Sequence, residues 1–424
     1  MPAFHDDGKR SRLTPHVPMR LLIADKLHPR AIEEARTLPV DVVYEPELTK
    51  ETLEQHLQGV GILVVRSTEV TASAIERATH LNLIVRAGAS YETIDVHAAS
   101  RRGIYVANCP GRNASAVAEL VYGLMVSLDR RIPDAVASLR SGRWERKEFS
   151  KAEGLFGKTL GIVGLGSIGR EVAARARAFG LHTVGWSRSL SPTRAAELGI
   201  AYAASVEELA ARSSILTMHV ALADRTRHIV DRKVIAALQD RSIVINTARH
   251  DLIDMEAAIE AVEKRGLRLA LDVFMNEPRG SRIFLSPDLF RTYPSGGIVY
   301  GTPHIAAATD QAQLSIAAET VRVIRSFLLE GAVPNVVNVS SSSAALFQLV
   351  IRMADKIGTF AHVLGVLKRH GINVEGVTNT VFEGGGAACA KLRLLSRPTE
   401  SCLAEIRAFD EVLHLDIVTL PMIA

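Results

Sequence analysis

The sequence predicts an α/β protein: two doubly wound parallel sheets followed by a smaller C-terminal domain of βαββαβ order. Three observations carry that reading. Short apolar runs alternate with helix-period segments from Arg20 to Gly301, the pattern of strands joined by crossover helices. Gly164, Gly166 and Gly169 form a G-x-G-x-x-G pattern between one such run and one such helix. Beyond the serine run Ser340 to Ser343 the order changes to strand, helix, strand, strand, helix, strand, over Leu346 to Leu420.

Taken in order, Arg20–Ala24, Asp41–Tyr44, Gly61–Val65 and Leu81–Val85 read as strands. Helices at Pro29–Leu38, Thr49–Leu57 and Ala72–Ala78 lie between them. Two of these strands run into polar or glycine-containing loops, Arg66-Ser67-Thr68 and Arg86-Ala87-Gly88-Ala89-Ser90. Ligands of open α/β sheets sit beyond the carboxyl ends of strands, so both loops are candidate contacts. An amphipathic helix, Asn113 to Arg131, is expected to bridge the first sheet to the second.

The second sheet opens with Leu160–Val163, the three glycines, a helix ended by Gly180, and a strand at His182–Trp186. The first glycine permits the turn, the second lets backbone approach a pyrophosphate, and the third lets helix pack on strand. The helix N-terminus adds free N–H groups and a positive dipole end. The implied ligand is a dinucleotide. Where such a unit often carries an acidic residue for the adenosine ribose, this chain has Ser187 and Arg188. Without a carboxylate to repel a 2′-phosphate, the cofactor is NAD or NADP, and acceptance of NADPH is favoured.

Four later strands, Ser214–His219, Ser242–Asn246, Arg268–Val273 and Ile298–Gly301, each lead into polar groups. These are His219, then Thr247-Ala248-Arg249, then Asp272 and Glu277, then Pro303-His304. Packing alone does not account for four strands delivering polar side chains at one edge.

Composition sets bounds. With 424 residues, 47% hydrophobic and 23% charged, the chain is an ordinary globular protein of two or three domains. A net charge of +4 without a basic, aromatic-interleaved run argues against nucleic acid as a partner. No apolar stretch reaches the roughly 18 residues that span a bilayer, so no membrane association is expected. Cys109, Cys389 and Cys402 have no metal or redox spacing; no metal is expected, and a cytoplasmic location fits. Residues 1–18 read as a disordered tail.

The segments RAGASYETIDVHAASRRGIYVANCPGRNASAVAEL, TLGIVGLGSIGRE, INTARHDLID, ALDVFMNEP and GTPHIAAAT resemble the D-2-hydroxyacid dehydrogenases, most closely the branch that oxidises D-3-phosphoglycerate. The resemblance implies two Rossmann-like domains. Residues 19–112 with 309–333 would bind substrate, 113–308 the dinucleotide, and 334–345 would be a linker to 346–424. It implies Arg249, Glu277 and His304 as the catalytic set. A histidine titrating near neutrality suits an alcohol proton, a carboxylate fixes its tautomer, and a guanidinium holds the substrate's carboxylate. It further places Ser167 and Ile168 at the pyrophosphate and Thr247, Ala248 and Asp272 beside the nicotinamide. Arg66, Ser67 and the amides at Ala87 and Gly88 would receive a 2-hydroxy or 2-oxo acid. Three departures stand out. His250 occupies a usual glycine position and would be strained at positive φ. Ser90 replaces another glycine, and Thr68 stands where some phosphoglycerate enzymes carry a second cation.

The C-terminal pattern, with ADKIGTFAHVLGVLKRHGINV, resembles the ACT domain, an amino-acid-sensing module. That resemblance implies an effector held by Asp355 and Asn373, with Met353 and Asp355 replacing the histidine and asparagine of serine-binding members. It also implies a homodimer or homotetramer. Three functional readings follow: phosphoglycerate oxidation, NADPH-dependent glyoxylate or hydroxypyruvate reduction, and a non-catalytic dinucleotide-gated binding protein. The intact Arg249, Glu277 and His304 disfavour the third.

Overall fold

The computed structural model describes residues 18–275, 277, 287–340 and 343–421. The predicted tail, Pro18 apart, and positions 341–342 of the predicted linker lie outside them. The chain divides into two compact units, Met1–Asn338 and Val339–Ala424.

The first unit holds two parallel sheets. One comprises β1 (Met19–Ile23), β2 (Val40–Tyr44), β3 (Val60–Val65), β4 (Leu83–Arg86) and β5 (Tyr105–Ala107), in the order β2-β1-β3-β4-β5. The other comprises β6 (Thr159–Val163), β7 (His182–Trp186), β8 (Ala201–Tyr202), β9 (Ile215–Met218), β10 (Ile243–Asn246), β11 (Arg268–Leu271) and β12 (Ile298–Gly301). Its order is β12-β11-β10-β9-β6-β7-β8. Both sheets are doubly wound, with the order reversing beside β1 and β6 respectively, and crevices for ligands open at such reversals. The short strands β5 and β8 carry too few apolar residues to stand out in the sequence.

Both faces of each sheet are covered, which is why the strands read as unbroken apolar runs. Every residue of β3 is buried. Two helices show how the chain distributes itself. Helix Ala114–Arg130 packs Val121, Met125 and Leu128 onto Leu160, Ile162 and Ile245 of the second sheet, and also touches helix Asp310–Glu330 on the first. Arg131 at φ 52° ends it, and helix Ile132–Arg140 follows at once. Helix Asp310–Glu330 returns to the first sheet, burying Ile316, Val321 and Ile324 with Leu21, Ile23 and Ile62.

The second unit is an antiparallel sheet of β13 (Phe347–Ala354), β14 (Val374–Val381), β15 (Ala387–Leu394) and β16 (Val412–Thr419), in the order β14-β15-β13-β16. Helices Thr359–Arg369 and Glu400–Arg407 complete the βαββαβ order. Gly384 and Gly385, at φ 89° and 66°, turn the central hairpin. Leu349, Ile351 and Met353 alternate inward to meet Val363, Leu367, Leu403 and Ile406. Met353 is thus core, 2% exposed, and offers nothing to an effector. Asp355 precedes the first helix of this unit and Asn373 follows it. Eleven helical residues rise about 16 Å, so one copy does not bring these two side chains together around a small amino acid.

Because this unit has a core of its own, residues 340–424 expressed alone are expected to melt in one cooperative transition by circular dichroism. A featureless melt would show that the core needs the rest of the chain.

Candidate active site

The glycine loop follows β6, where the strand order reverses. Gly164 has φ 97°, and a Cβ there would lie 2.8 Å from the His219 carbonyl oxygen. A Cβ on Gly169 would lie 2.0 Å from the Gly164 carbonyl oxygen, so helix Ser167–Ala176 sits hard against the strand. Around Gly166 a Cβ would meet nothing within 4 Å. Turn, close packing and an open cradle are the three roles a pyrophosphate site needs. No side chain caps this helix, so the amides at Ser167 and Ile168 face the cradle uncapped. The residues fit a dinucleotide. Ser187 and the exposed Arg188 directly follow β7. After β9 and β10, the His219 Nδ1 and the Thr247 hydroxyl are buried without a partner. Burial holds that histidine neutral, its pKa pushed down to about 3, and its Nε2 lies 3.0 Å from the Thr217 hydroxyl.

Asp272, fully buried after β11, organises the loop that carries His304. Its Oδ1 accepts from the Thr302 hydroxyl at 2.6 Å and the Ile305 amide at 2.8 Å, and its Oδ2 accepts from the Ala306 amide at 2.9 Å. His304 lies between these anchors at φ 52°. Hydrogen bonds to a charged group contribute about 1.5–3 kcal/mol each, more than the roughly 1–2 kcal/mol of left-handed backbone. The strain is therefore sustained. Asp272 is a bracket, and its carboxylate is not free to line the nicotinamide side as expected. His304 Nδ1 lies 2.6 Å from Glu277 Oε2, while Glu277 Oε1 accepts the Phe274 amide at 2.9 Å. A carboxylate only accepts, so Nδ1 carries the proton and Nε2 is left for a substrate.

Asn246, at the end of β10, plays the same part for Arg249. Its side chain donates to the Arg249 carbonyl at 2.8 Å and accepts the Ala248 amide at 3.0 Å. His250 is not among the residues at positive φ; it opens a 3-10 turn, so the expected strain is absent. Arg249 donates to Glu92 Oε2 from Nε at 3.2 Å and Nη2 at 3.0 Å, and from Nη1 to the Ala248 carbonyl at 2.7 Å.

Across the cleft, Asp25 accepts the amides of Arg66, Ser67 and Thr68 at 2.7, 3.1 and 3.0 Å and the Ser67 hydroxyl at 2.9 Å. The expected substrate amides are otherwise engaged: Ala87 donates to the Val65 carbonyl and Gly88 to the Arg86 carbonyl. What the sequence reading missed is the Arg86 side chain. It folds over Gly88, where a Cβ would fall 1.6 Å from its Nη1, and its Nε is buried without a partner. Burial first, then the positive charges of Arg249 and Arg66, hold its pKa below the ordinary value. Thr68 is buried, its hydroxyl on the Leu48 carbonyl, while Arg86 closes the neighbouring strand β4.

Residues 122–306 match the family model of the D-isomer specific 2-hydroxyacid dehydrogenase NAD binding domain. A hydroxypyruvate reductase of Thermotoga maritima is 40% identical over 284 residues, 66% of this chain and 89% of that protein. The chain belongs to the D-2-hydroxyacid dehydrogenase family. It is also 38% identical over 346 residues to a D-3-phosphoglycerate dehydrogenase of Methanocaldococcus jannaschii, covering 80% of this chain and 64% of that longer protein. Among solved structures, an NADPH-dependent glyoxylate/hydroxypyruvate reductase of Sinorhizobium meliloti, in complex with NADP and malonate, superposes with a TM-score of 0.65. It is 26% identical, covering 76% of this chain and 97% of that one.

Replacing Gly169 by alanine in this chain is expected to weaken dinucleotide binding by about tenfold or more, because the helix must back away from the strand. Fluorescence titration with NADH and NADPH measures it. Unchanged affinity would show that the glycine contact does not set the helix position.

Proposed function

We propose that this chain oxidises 3-phosphoglycerate to 3-phosphohydroxypyruvate, reversibly, with a nicotinamide dinucleotide. The observation that carries the reading is that Arg66, Arg86 and Arg249 stand at neighbouring strand ends around one cleft, where Glu92 pairs with Arg249 and the charges of Arg249 and Arg66 help burial hold the Arg86 pKa down. So much positive charge suits a substrate with a carboxylate and a phosphate better than a monoanionic acid. The likeness to the phosphoglycerate dehydrogenase of M. jannaschii supports it.

The bound cofactor supplies the hydride acceptor or donor. His304 Nε2 takes the proton of the substrate hydroxyl in oxidation and returns it in reduction. Glu277, on Nδ1, keeps the tautomer and stabilises the imidazolium that forms. Arg249 holds the carboxylate and polarises the carbonyl oxygen; Arg66 and Arg86 take the phosphate. A second reading, reduction of glyoxylate or hydroxypyruvate with NADPH, is favoured by Ser187 and Arg188 and by the reductases among the relatives.

The chain acts as a homo-oligomer in this reading. Ile132, Val136 and Leu139 form an exposed stripe at helical spacing, with Trp144, 81% exposed, just beyond. Edge strands β14 and β16 add exposed Val377, Val381, Leu413 and Val418. Asp355 and Asn373, at opposite ends of one helix, would serve an amino-acid effector only by contributions from two copies. Among the described residues no helix is long and apolar enough to cross a membrane; a cytoplasmic enzyme is the corresponding proposal.

Initial rates over a panel of 2-oxo acids with both cofactors test the reading. Arg86→Leu is expected to lower kcat/KM for 3-phosphohydroxypyruvate by about a hundredfold, from one lost charge-assisted phosphate contact, and to leave hydroxypyruvate nearly untouched. Equal losses on both acids would place Arg86 outside the phosphate site. His304→Ala is expected to reduce kcat by at least about a hundredfold while calorimetry still detects cofactor; near-normal turnover would remove it from the mechanism. Ser187→Asp should move the ratio of kcat/KM towards NADH. A wild type that already rejects NADPH would contradict the ribose-site reading.

A further inference from the structure

We propose that Glu92 is a positioning residue for Arg249, aiming its guanidinium into the cleft and tying that aim to the approach of the two sheets. The proposal rests on the reading of Arg249 as the substrate anchor. Glu92 stands in the loop after β4 of the first sheet, Arg249 in the loop after β10 of the second. Their ion pair, at 3.0 Å, spans the cleft between them.

Donor accounting shows what the pair does. A guanidinium has five N–H groups. Nε–H and one Nη2–H point at Glu92 Oε2, and one Nη1–H points at the Ala248 carbonyl. One N–H remains on each terminal nitrogen, the fork that a carboxylate accepts. Glu92 thus occupies the side of the guanidinium that substrate does not need and leaves the end presented. Without it, Arg249 would keep only the contact to its neighbour's carbonyl among those described, on a flexible stem near the positive charge of Arg86. Because Glu92 belongs to the other sheet, Arg249 is aimed only while the cleft is narrow enough for the pair to form.

The pair is half-exposed, with side chains 32% and 55% accessible, so its contribution to stability is small. Its loss should register in catalysis rather than in folding. In the full chain, Glu92→Gln is expected to lower kcat/KM for the 2-oxo acid by about tenfold, the scale of one charge-assisted hydrogen bond. The KM for cofactor and the melting temperature should stay put. Glu92→Asp, which keeps the charge, should recover most of the loss. Wild-type kinetics in Glu92→Gln would overturn the proposal. So would equal impairment of both variants alongside a lowered melting temperature, the mark of a packing role. A binding cycle separates this from the functional reading. Oxalate affinity of the cofactor-saturated protein is measured for wild type, Glu92→Gln, Arg249→Lys and the double variant. Coupling between the two substitutions supports the positioning role whatever acid the enzyme turns over, and additivity overturns it. Absence of turnover on every acid in the panel would count against the dehydrogenase reading alone.

Discussion

Asp272 is a carboxylate with no exposure at all, and the geometry of the candidate site follows from how its charge is satisfied. A buried ionised group without partners is costly, so the chain folds back over it: the Thr302 hydroxyl and the Ile305 and Ala306 amides converge on its two oxygens. That convergence leaves His304 at the tip of a tight loop in left-handed backbone, facing Glu277. Histidine tolerates this region better than β-branched or bulky residues do. The residue that does chemistry in this account is strained because the residue behind it is satisfied.

The same device recurs at two more strand ends. Asp25, just past β1, gathers the amides of Arg66, Ser67 and Thr68, and Asn246, closing β10, pins Ala248 and Arg249. In each case a buried polar side chain at the carboxyl end of a strand fixes the loop that carries His304, Arg66 or Arg249. Rigid strands set the anchors and the loops inherit their precision. The two sheets then meet through Glu92 and Arg249, so loops fixed independently come together across one cleft.

Much of this was legible in the sequence where the signal is local. The glycine loop is readable because each glycine answers a constraint within a few residues, and the structure supplies the close contact at Gly169 and the open space at Gly166. Arg249, Glu277 and His304 could be picked out because each follows an apolar strand within a recognisable segment. Asp25 and Glu92 could not be weighed in the same way, since their meaning depends on partners 41 to 157 positions away; that of Arg86 depends on charges from both sheets. His250 misled because the rule for glycine at a turn was applied to a residue whose backbone takes a different turn. Met353 is legible as core from the alternation of Leu349, Ile351 and Met353.

The central claim is that Glu277 holds the proton of His304 on Nδ1 and leaves Nε2 to exchange a proton with substrate. Nitrogen-15 chemical shifts of the labelled histidines, assigned by comparison with His304→Ala, read that tautomer directly at a pH where the ring is neutral. His304 is expected to be protonated at Nδ1, and Glu277→Gln or Asp272→Asn to change the tautomer population. A His304 protonated at Nε2 in the wild-type protein, or a population indifferent to both substitutions, would contradict that claim.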